Sequence, residues 1–501
     1  MTRSCYGFVR IFPLLLIVAC GVCHGEVPCN LQQRIDQASP GGIIDGAGCV
    51  ERSAVTLRKR LTLKNLTIKG SDNWSGDFTA AGGNYRSSRT VPGLEEPSTT
   101  DDSDNRTLCE APNDVMCREA EMVFVNGTYL SQVPNGSDPG PGEFAMDSQR
   151  RVVLGSNPGN ALVEVVVRQV GLRLGSRSAA TVLDHVAVTQ VGNTVGSRGP
   201  GTGPAVKNNG RQLTVKNSEV SWVHGSAIAC GGGVSCEITG TDVHHAGAAG
   251  VITNKSPLVF DHNRIHHNCS SLPDVHYNTT FSCSGIKVHG TSTGRRSLTN
   301  SEFYNNDHAG VWLDGGANHV LIANNRIHHN DEQGIHIEIA SDVTIRDNVL
   351  YENGWVGTPS TALNSSAIYV HDSGNVEISG NVMAWNRDGF AYIGGGRRAQ
   401  NTGIEVYDNA IIAGATDPGK QLLTAWLLLG DTLGGNIAHG NRYYYGGEQD
   451  STAKKKFQWE RNQYSGLATF NSTPGEQSSF WLTGGEVNSI LSANNIPRGS
   501  H

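Results

Sequence analysis

Two acidic residues, Asp314 and Glu338, each end a five-residue stretch of the same pattern, GVWLD at 310–314 and GIHIE at 334–338. If these stretches are adjacent strands of one sheet, their backbones lie ~4.8 Å apart. One of two carboxylates that close has a raised pKa, so one can act as an acid and the other as a base or nucleophile. A separation near ~5 Å suits a retaining glycosidase, and a wider one suits an inverting glycosidase.

Further reactive side chains belong to the same pattern. Lys287, His289 and His336 are candidate bases that could remove the proton next to a uronate carboxyl group, as β-elimination requires. Alternatively, the acidic pair could hold Ca²⁺ together with Asn254 or a substrate carboxylate. The candidate substrate-binding residues combine rings and positive charges that suit sugars and uronates: Trp312, Tyr369, His371, Arg295 and Arg397.

Each of these residues also has a plainer interpretation. Carboxylates that point outward from a strand are commonly solvated, and Trp312 could simply cover a strand beneath an inserted loop. The arginines could equally be solvated turn residues. The His-His pairs at 244–245, 266–267 and 328–329 are interpreted as a structural stack or an exposed turn rather than a metal site.

The element that could position the reactive residues is a repeat. Units of the pattern Gly/Ala-apolar-x-apolar-x start 22 to 35 residues apart, and the two longest gaps contain insertions at 269–283 and 355–366. Asn-containing elements, such as NRIHHN at 263–268 and 325–330, repeat in phase with these units. Short strands separated by turn residues, without helical periodicity, predict an all-β right-handed parallel β-helix, a solenoid. The units are AIACG (227–231), GVITN (250–254), GIKVH (285–289), GVWLD (310–314), GIHIE (334–338), AIYVH (367–371) and GFAYI (389–393).

The repeat assigns a direction to each side chain. If the two apolar residues of each unit point inward, the third and fifth residues point outward. The expectation is one continuous polar and aromatic patch over 287–371, on which Trp312 and Tyr369 stack against sugar faces. The third-position column reads Ala229, Ile252, Lys287, Trp312, His336, Tyr369, Ala391, and the fifth-position column reads Gly231, Asn254, His289, Asp314, Glu338, His371, Ile393.

The rest of the chain is divided around this repeat. Residues 1–25 have the basic start, short apolar run and small residues of a secretory signal. Residues 26–70 are expected to form an N-terminal helical cap and the first strands, and 71–160 an inserted loop followed by a small β-meander. The β-helix is assigned to 161–415, and 416–501 to a C-terminal cap whose terminal helix covers the open end.

Composition restricts the possible partners and the compartment. The chain has 501 residues, 62 glycines and a net charge of −7, which suits a turn-rich β protein and disfavours a nucleic-acid partner. We expect a secreted monomer with no transmembrane span; a lipoprotein anchored through Cys20 is the alternative. Sequons such as Asn65 and Asn278 allow glycosylation. Eight of the 11 cysteines follow Gly25 and form four close pairs, read as disulfides: Cys29/Cys49, Cys109/Cys117, Cys230/Cys236 and Cys269/Cys283.

The register from about 160 to 415, with its GVWLD and GIHIEIASD units, resembles the right-handed parallel β-helix proteins of the pectate-lyase-like superfamily. The upstream segments EMVFVNGTYLSQV and GEFAMDSQRRVVLG resemble a bacterial-type exported branch of it. Most members of that superfamily are polysaccharide lyases, glycoside hydrolases or uronate epimerases, and a minority are non-catalytic surface proteins. The Asp-Pro-His motif of alginate-type epimerases and the Gly-His-Gly and Arg-Ile-Lys motifs of polygalacturonases do not occur in this sequence, so no catalytic residue is carried over.

The resemblance and the candidate residues together imply a secreted enzyme that cleaves an acidic polysaccharide by lyase or hydrolase chemistry. A non-catalytic carbohydrate-binding β-helix and a uronate C5-epimerase are the alternatives. Either no cofactor is required or Ca²⁺ is used.

Overall fold

The computed structural model describes the chain in eleven segments, and for residues 5–11, 14–20, 100–101 and 106–107 it describes the backbone only. The eleven segments are 26–94, 119–175, 180–193, 203–208, 212–269, 283–356, 365–394, 402–414, 421–428, 435–473 and 476–498. Arg397 and the Cys109/Cys117 pair lie outside the described residues, as do 270–282 and 357–364 in the two insertions.

The repeated units form one long sheet, called the rung sheet below. Its strands pair parallel in chain order, except that the last pairs antiparallel with its predecessor. Each unit therefore makes one rung, and the rungs stack along the axis of a right-handed parallel β-helix, as predicted. The strands of the rung sheet are Val55–Leu57, Leu172–Leu174, Val206–Lys207, Ile228–Cys230, Val251–Asn254, Ser284–His289, Ala309–Asp314, Ile335–Glu338, Ser366–His371, Asp388–Gly394, Thr424–Leu428, Phe457–Trp459 and Asn462–Tyr464.

Two further faces complete each turn of the coil. Three long strands bend through both faces: Ile43–Glu51, Leu61–Lys69 and Ala180–Val191. The second face continues with Gln212–Lys216, Cys236–Thr239, Leu258–Asp261, Arg296–Thr299, Asn318–Ala323, Ser341–Arg346, Gly374–Ser379, Ile404–Tyr407 and Ile437–His439. The third face continues with Glu219–Val223, Asp242–Ala246, Arg264–His266, Glu302–Tyr304, Arg326–His328, Val349–Tyr351, Val382–Ala384, Ala410–Ala413, Arg442–Tyr445 and Phe480–Trp481.

The core lies inside the coil because the apolar residues of each unit point inward. The first apolar residues of successive rungs align in the sheet register and are fully buried: Val251, Ile286, Val311, Ile335 and Ile368. Alternation along each strand then directs the third and fifth residues of every unit out of the coil. The core thus fixes which face of the rung sheet can carry a site.

The N-terminal region differs in part from the expectation. A helix at Leu31–Gln37 buries Leu31 and Ile35 at the start of the coil, as predicted for a cap. The segment 71–94, predicted as part of an inserted loop, instead supplies strands to the meander. The meander has two small sheets that share a core around Trp74 and Phe144. Their strands are Ser71–Asn73, Val123–Val125, Thr128–Tyr129 and Val163–Val166 in one, and Phe78–Ala81, Asn84–Ser87, Ser131–Gln132, Glu143–Met146 and Val152–Leu154 in the other.

The C-terminal region also departs from the prediction. Rungs continue beyond residue 415, through Thr424–Leu428 and Phe457–Trp459, so the coil is longer than the sequence indicated. The short helix Leu467–Phe470 packs into the end of the core, where Phe470 stacks on Phe457 with ring centroids 4.7 Å apart. The terminal helix Gly484–Ala493 does not cover the open end. Its apolar side packs on the outward side chains of the third face, including Tyr351, Ala384 and Ile412.

Three of the predicted disulfides are present in the described residues: Cys29–Cys49, Cys230–Cys236 and Cys269–Cys283. The backbone of the predicted signal region contains two antiparallel strands, Cys5–Ile11 and Leu14–Cys20, and a second short pair joins Thr100–Asp101 with Arg106–Thr107. No helix within the described segments is long and apolar enough to cross a bilayer.

Candidate active site on the rung sheet

The sheet register confirms the two columns deduced from the sequence. Lys287 pairs with Trp312, Trp312 with His336, and His336 with Tyr369, so the third-position residues stand on successive rungs. In the fifth-position column, His289 pairs with Asp314. Glu338 ends the next strand and pairs with His371, so Asp314 and Glu338 occupy neighbouring rungs.

A buried ion pair lies at the centre of these columns. The Nζ atom of Lys287 is 3.0 Å from Oδ2 of Asp314 and 3.4 Å from the centroid of the Trp312 ring. The second carboxylate oxygen of Asp314 accepts the backbone N–H of Gly315. The Lys287 side chain is only 8% exposed, and this burial lowers the pKa of its amine against the opposing attraction of Asp314 and Glu338. The site therefore contains an amine that is easier to deprotonate than a solvated lysine.

The third-position column is buried rather than exposed, which corrects the expected outer patch. The Trp312 ring lies between the Lys287 amine and the His336 ring, which is parallel to it with centroids 5.3 Å apart. His336 in turn contacts the Tyr369 ring at 5.0 Å, and Tyr369 packs on Ala391. Because the spacing of the rungs lets neighbouring rings cover one another, the column forms a stacked floor. A sugar could reach the faces of Trp312 or Tyr369 only if these neighbours moved.

The indole N–H of Trp312 is buried and has no hydrogen-bond acceptor among the described residues. Trp312 is 3% exposed, and a buried indole N–H usually finds an acceptor. Trp312 therefore places an unsatisfied donor in the buried floor of the site.

The fifth-position row is the accessible edge of the site. The His289 ring reaches over the next rung onto Gly315, where a Cβ atom would overlap its Nε2 atom. Lys255, which the sequence analysis did not select, extends in the same way over Gly290 and contributes positive charge beside His289. Burial lowers the pKa of the His289 imidazole. The signal for both contacts was present in the sequence, since glycine follows the fifth position in the two rungs that receive these side chains.

The other end of the row contains a histidine beside a buried acid. His371 Nε2 lies 3.3 Å from Oδ2 of Asp372, and the His371 ring lies 5.8 Å from that of Tyr369. Asp372 is 4% exposed. The buried acid thus lies beside His371, whose partner in the sheet register is Glu338.

Asn254 and Arg295, two further residues selected from the sequence, lie at the border of this row. Asn254 is two rungs, ~9.6 Å along the coil axis, from Asp314. Arg295 is exposed, whereas Arg296 is buried and donates to the carbonyl oxygens of Ser256 and Gly290. Among the described residues, no group of three or more His, Cys, Asp or Glu side chains is arranged to hold a metal ion.

A second acidic row was missed by the sequence analysis. It lies just before the rung strands, where NNDHAG and HNDEQG repeat. Burial is the main cause that raises the pKa of Asp307 to about 8 and that of Glu332 to about 7. The negative charge of Asp331 raises both pKa values further. His308 accepts the N–H of Ala309 at Nδ1 and directs Nε2 to Glu332 at 3.1 Å. The His308 ring also stacks on Trp312 at 5.1 Å, which connects this row to the floor of the site.

Comparisons with known proteins agree with the fold. The family described as "Right handed beta helix region" matches residues 205–362. XylC in complex with xylose superposes with a TM-score of 0.54 at 12% identity, over 83% of both chains. The A-module of the mannuronan C-5 epimerase AlgE4 from Azotobacter vinelandii gives a TM-score of 0.39 at 14% identity, over 70% of this chain and 88% of that one. A mutant of the periplasmic alginate epimerase AlgG gives 0.43 at 12%, over 94% and 85%.

No curated protein is detectably similar in sequence to this chain. At identities this low, likeness to the solved structures reports the fold alone. The chain is a right-handed parallel β-helix protein, and its activity must be argued from its own site.

Proposed function

We propose that this protein is an exported enzyme that cleaves an acidic polysaccharide by β-elimination, with Lys287 as the catalytic base. The observation that carries the proposal is the buried Lys287 amine, held between Asp314 and the face of Trp312. A base must be partly deprotonated at working pH, and burial moves the pKa of Lys287 in that direction. Asp314 acts as a positioning residue for the amine.

The Lys287 amine both removes the proton and returns it, so the reaction needs no second acid or base. Neutral Lys287 takes the C5 proton of a uronate, the C5–H electrons form the C4–C5 double bond, and the C4–O4 bond breaks. The departing O4 then takes the proton back from the Lys287 ammonium group. The products are a new non-reducing end with an unsaturated uronate and a chain ending at the released hydroxyl group.

Positive charge beside the base supports an anionic substrate. Lys255 and His289 lie next to the Lys287–Asp314 pair, and a uronate carboxylate placed there would be attracted to Lys255. The N–H of Trp312, which has no acceptor among the described residues, would supply a further donor for a sugar oxygen once substrate displaces the rings that cover it. Glu338 and His371 extend the row by two more rungs, ~9.6 Å, enough for the next sugar of a chain.

Three disulfides support an oxidising compartment, consistent with the predicted secretory signal at 1–25. XylC, whose structure superposes with a TM-score of 0.54, was solved in complex with xylose. A sugar bound to that protein supports a carbohydrate substrate for this one.

Hydrolysis is the second candidate, because Asp314 and Glu338 stand on neighbouring rungs as a glycosidase pair would. The ion pair with Lys287 favours the lyase, since it occupies the Asp314 oxygen that a nucleophile would need. A uronate epimerase would share the first proton transfer but return a proton to C5 without breaking the chain. A non-catalytic binder would use the same row without any bond cleavage.

The test is incubation of the full chain with a panel of acidic polysaccharides, followed by ultraviolet absorbance for unsaturated uronates and by a reducing-end assay. We expect both signals to rise together, and activity to fall as the pH drops below the lowered pKa of Lys287. Lys287→Met should reduce the rate by roughly 100-fold or more, the usual contribution of a general base. Its circular dichroism spectrum should be unchanged.

Lys216→Met is the matched control, because Lys216 also lies near an aspartate, with Nζ 3.4 Å from Asp184 Oδ2, but away from the rung sheet. It should retain wild-type activity. Reducing ends without unsaturated products would contradict β-elimination and identify the protein as a hydrolase. Absence of both signals with every glycan would overturn the proposal that the protein is an enzyme. Glycan binding that survives Lys287→Met would then identify a non-catalytic binding protein.

A further inference from the structure

A second column of aromatic and imidazole rings runs along the third face, away from the rung sheet. Its rings are near-parallel, with centroids 4.6 to 5.2 Å apart. The column comprises His244, His266, Tyr304, His328 and Tyr351. The predicted structural stack is therefore present. In three of its rungs a second histidine follows the first, and the two Nδ1 atoms lie 2.7 to 2.8 Å apart.

In the pair His328/His329, the hydrogen-bond donors and acceptors of the ring nitrogens do not match. His328 Nε2 is 3.1 Å from Oε1 of Glu302, and His329 Nε2 is 2.5 Å from Oε2 of Glu352. Carboxylates only accept, so each imidazole must carry its hydrogen on Nε2. Both Nδ1 atoms then have lone pairs, and these atoms face each other at 2.8 Å. Two acceptors this close require a positive species between them.

The neighbouring pair His266/His267 lacks this requirement. His266 Nε2 lies 2.9 Å from Oδ1 of Asp242, but the second histidine, His267, accepts the side-chain N–H of Asn305 at Nε2. His267 therefore carries its hydrogen on Nδ1 and donates it to His266. The two pairs differ in the residue that follows on the next rung. His267 faces Asn305, which can donate a hydrogen bond, whereas His329 faces Glu352, which can only accept one.

We propose that the Nδ1 atoms of His328 and His329 bind a divalent transition-metal ion of the Cu²⁺ or Ni²⁺ class. A metal at ~2.0 Å from two nitrogens 2.8 Å apart subtends about 90°, the angle of cis ligands in a tetragonal site. Tetrahedral Zn²⁺ would need the nitrogens about 3.3 Å apart. Water completes the coordination, because this site has two protein ligands only.

The surroundings fit a cation. Metal-binding histidines commonly direct their other ring nitrogen to a carboxylate, and here the Nε2 atoms of both His328 and His329 lie against one. Glu302 and Glu352 supply two carboxylates beside the pair. Arg326, whose Nε lies 3.9 Å from Glu302, and Arg264 supply positive charge near Glu302, but Arg264 is itself paired with Asp242 at 3.0 Å. The His329 side chain is 44% exposed, so an ion can enter from solvent. The site lies on the third face and is separate from the proposed lyase site.

The experiment is calorimetric titration of the full chain with Cu²⁺ alone, with electron paramagnetic resonance at one equivalent. The wild type should bind the first equivalent with a spectrum split by two imidazole nitrogens. His329→Asn should weaken this binding at least tenfold and remove one nitrogen coupling. Asn is tolerated at that backbone conformation, since Asn305 adopts it in the same column. Glu352→Gln should weaken binding by about tenfold, as loss of a carboxylate behind a metal-bound histidine does.

His267→Asn is the matched control and should bind Cu²⁺ as the wild type does. The proposal is overturned if His329→Asn binds as tightly as the wild type, or if His267→Asn loses the site equally. It is also overturned if the wild type takes up no Cu²⁺ tightly and nuclear magnetic resonance shows a proton shared by the pair. Polysaccharide cleavage does not enter this test, so failure of the proposed lyase leaves it intact.

Discussion

Two stacks of polar side chains run along the coil axis: a ladder of buried asparagines, and the third-position column of the rung sheet from Lys287 to Tyr369, called the rung column. They differ in whether their polar atoms find hydrogen-bond partners. In the ladder every described rung carries the same residue, and each Nδ2 donates to the next Oδ1 at 2.8 to 3.0 Å. The ladder comprises Asn268, Asn306, Asn330, Asn353 and Asn386. Because the residues are identical, each one satisfies its neighbour.

The rung column changes residue type at every step, from lysine through tryptophan and histidine to tyrosine. Its contacts are ring faces and one ion pair, and the indole N–H of Trp312 has no acceptor in the described part of the chain. A uniform column is therefore typical of structure, whereas a varied column that retains reactive groups indicates a site. This contrast predicts that substitutions in the two columns change different properties.

The largest effect on stability is expected for Asn330→Ala. The Asn330 side chain donates to Asn353 Oδ1 and the Phe303 carbonyl, and it accepts from Asn306, all in a buried turn. Loss of these bonds should lower the free energy of unfolding by about 3 kcal/mol.

The measurement is the urea midpoint. The exposed Asn305, which also has a positive φ, gives the control Asn305→Gly, expected to stay within about 0.5 kcal/mol of the wild type. Lys287→Met should remove activity even in the folded protein, because the base itself is lost. An Asn330→Ala midpoint equal to that of the control would remove the distinction between the columns.

An intermediate effect is expected for Gly315→Ala. Gly315 has a φ of +62° and lies beneath the His289 ring, so a methyl group strains the backbone and displaces the imidazole. We expect a loss of about 1 kcal/mol of stability and about tenfold in kcat/KM on a cleaved glycan.

Gly127→Ala provides the comparison, since Gly127 has a φ of +79° and open space around its Cβ position. It should show the same loss of stability with unchanged kinetics. Equal kinetics for the two variants would mean that His289 does not contribute to the site.

A separate effect, on the pH dependence of stability, is expected at the second acidic row. The folded protein holds a proton on Asp307 up to about pH 8, whereas an unfolded aspartate releases it near ~4. Protonation thus favours the folded state, and stability decreases as the pH rises across this window. Asp307→Asn should remove part of this decrease.

Thermal unfolding at pH 4 and pH 8 measures this effect. The variant should melt a few degrees higher than the wild type at pH 8, and the difference should shrink at pH 4. A variant that melts at or below the wild type at pH 8 would contradict burial of a charged carboxylate there.

Much of the site could be predicted from the sequence because a solenoid converts sequence period into spatial register. The spacing of GVWLD and GIHIE placed Asp314 and Glu338 on neighbouring rungs, and the sheet pairings agree. Burial could not be predicted in the same way. Strand alternation correctly predicted that Lys287 and Trp312 point out of the coil. It could not predict that each ring is covered by the next.

Boundaries and covers were the weaker predictions. The terminal helix Gly484–Ala493 was recognised from its pattern, but its docking on the third face depends on which apolar surface lacks a partner. Asp307 and Glu332 were missed because their raised pKa values arise from burial between rungs, which residue type does not reveal.

The sequence alone determined the fold, the rung register and the set of residues that meet on one face, because each follows from a repeat length and from the alternation of a strand. Only the tertiary structure decided which of those residues are accessible and which atoms carry hydrogens or charge. The ion pair of Lys287 with Asp314 and the opposed nitrogens of His328 and His329 both depend on distances between side chains of different rungs or turns. Such distances are set by packing, not by spacing along the chain.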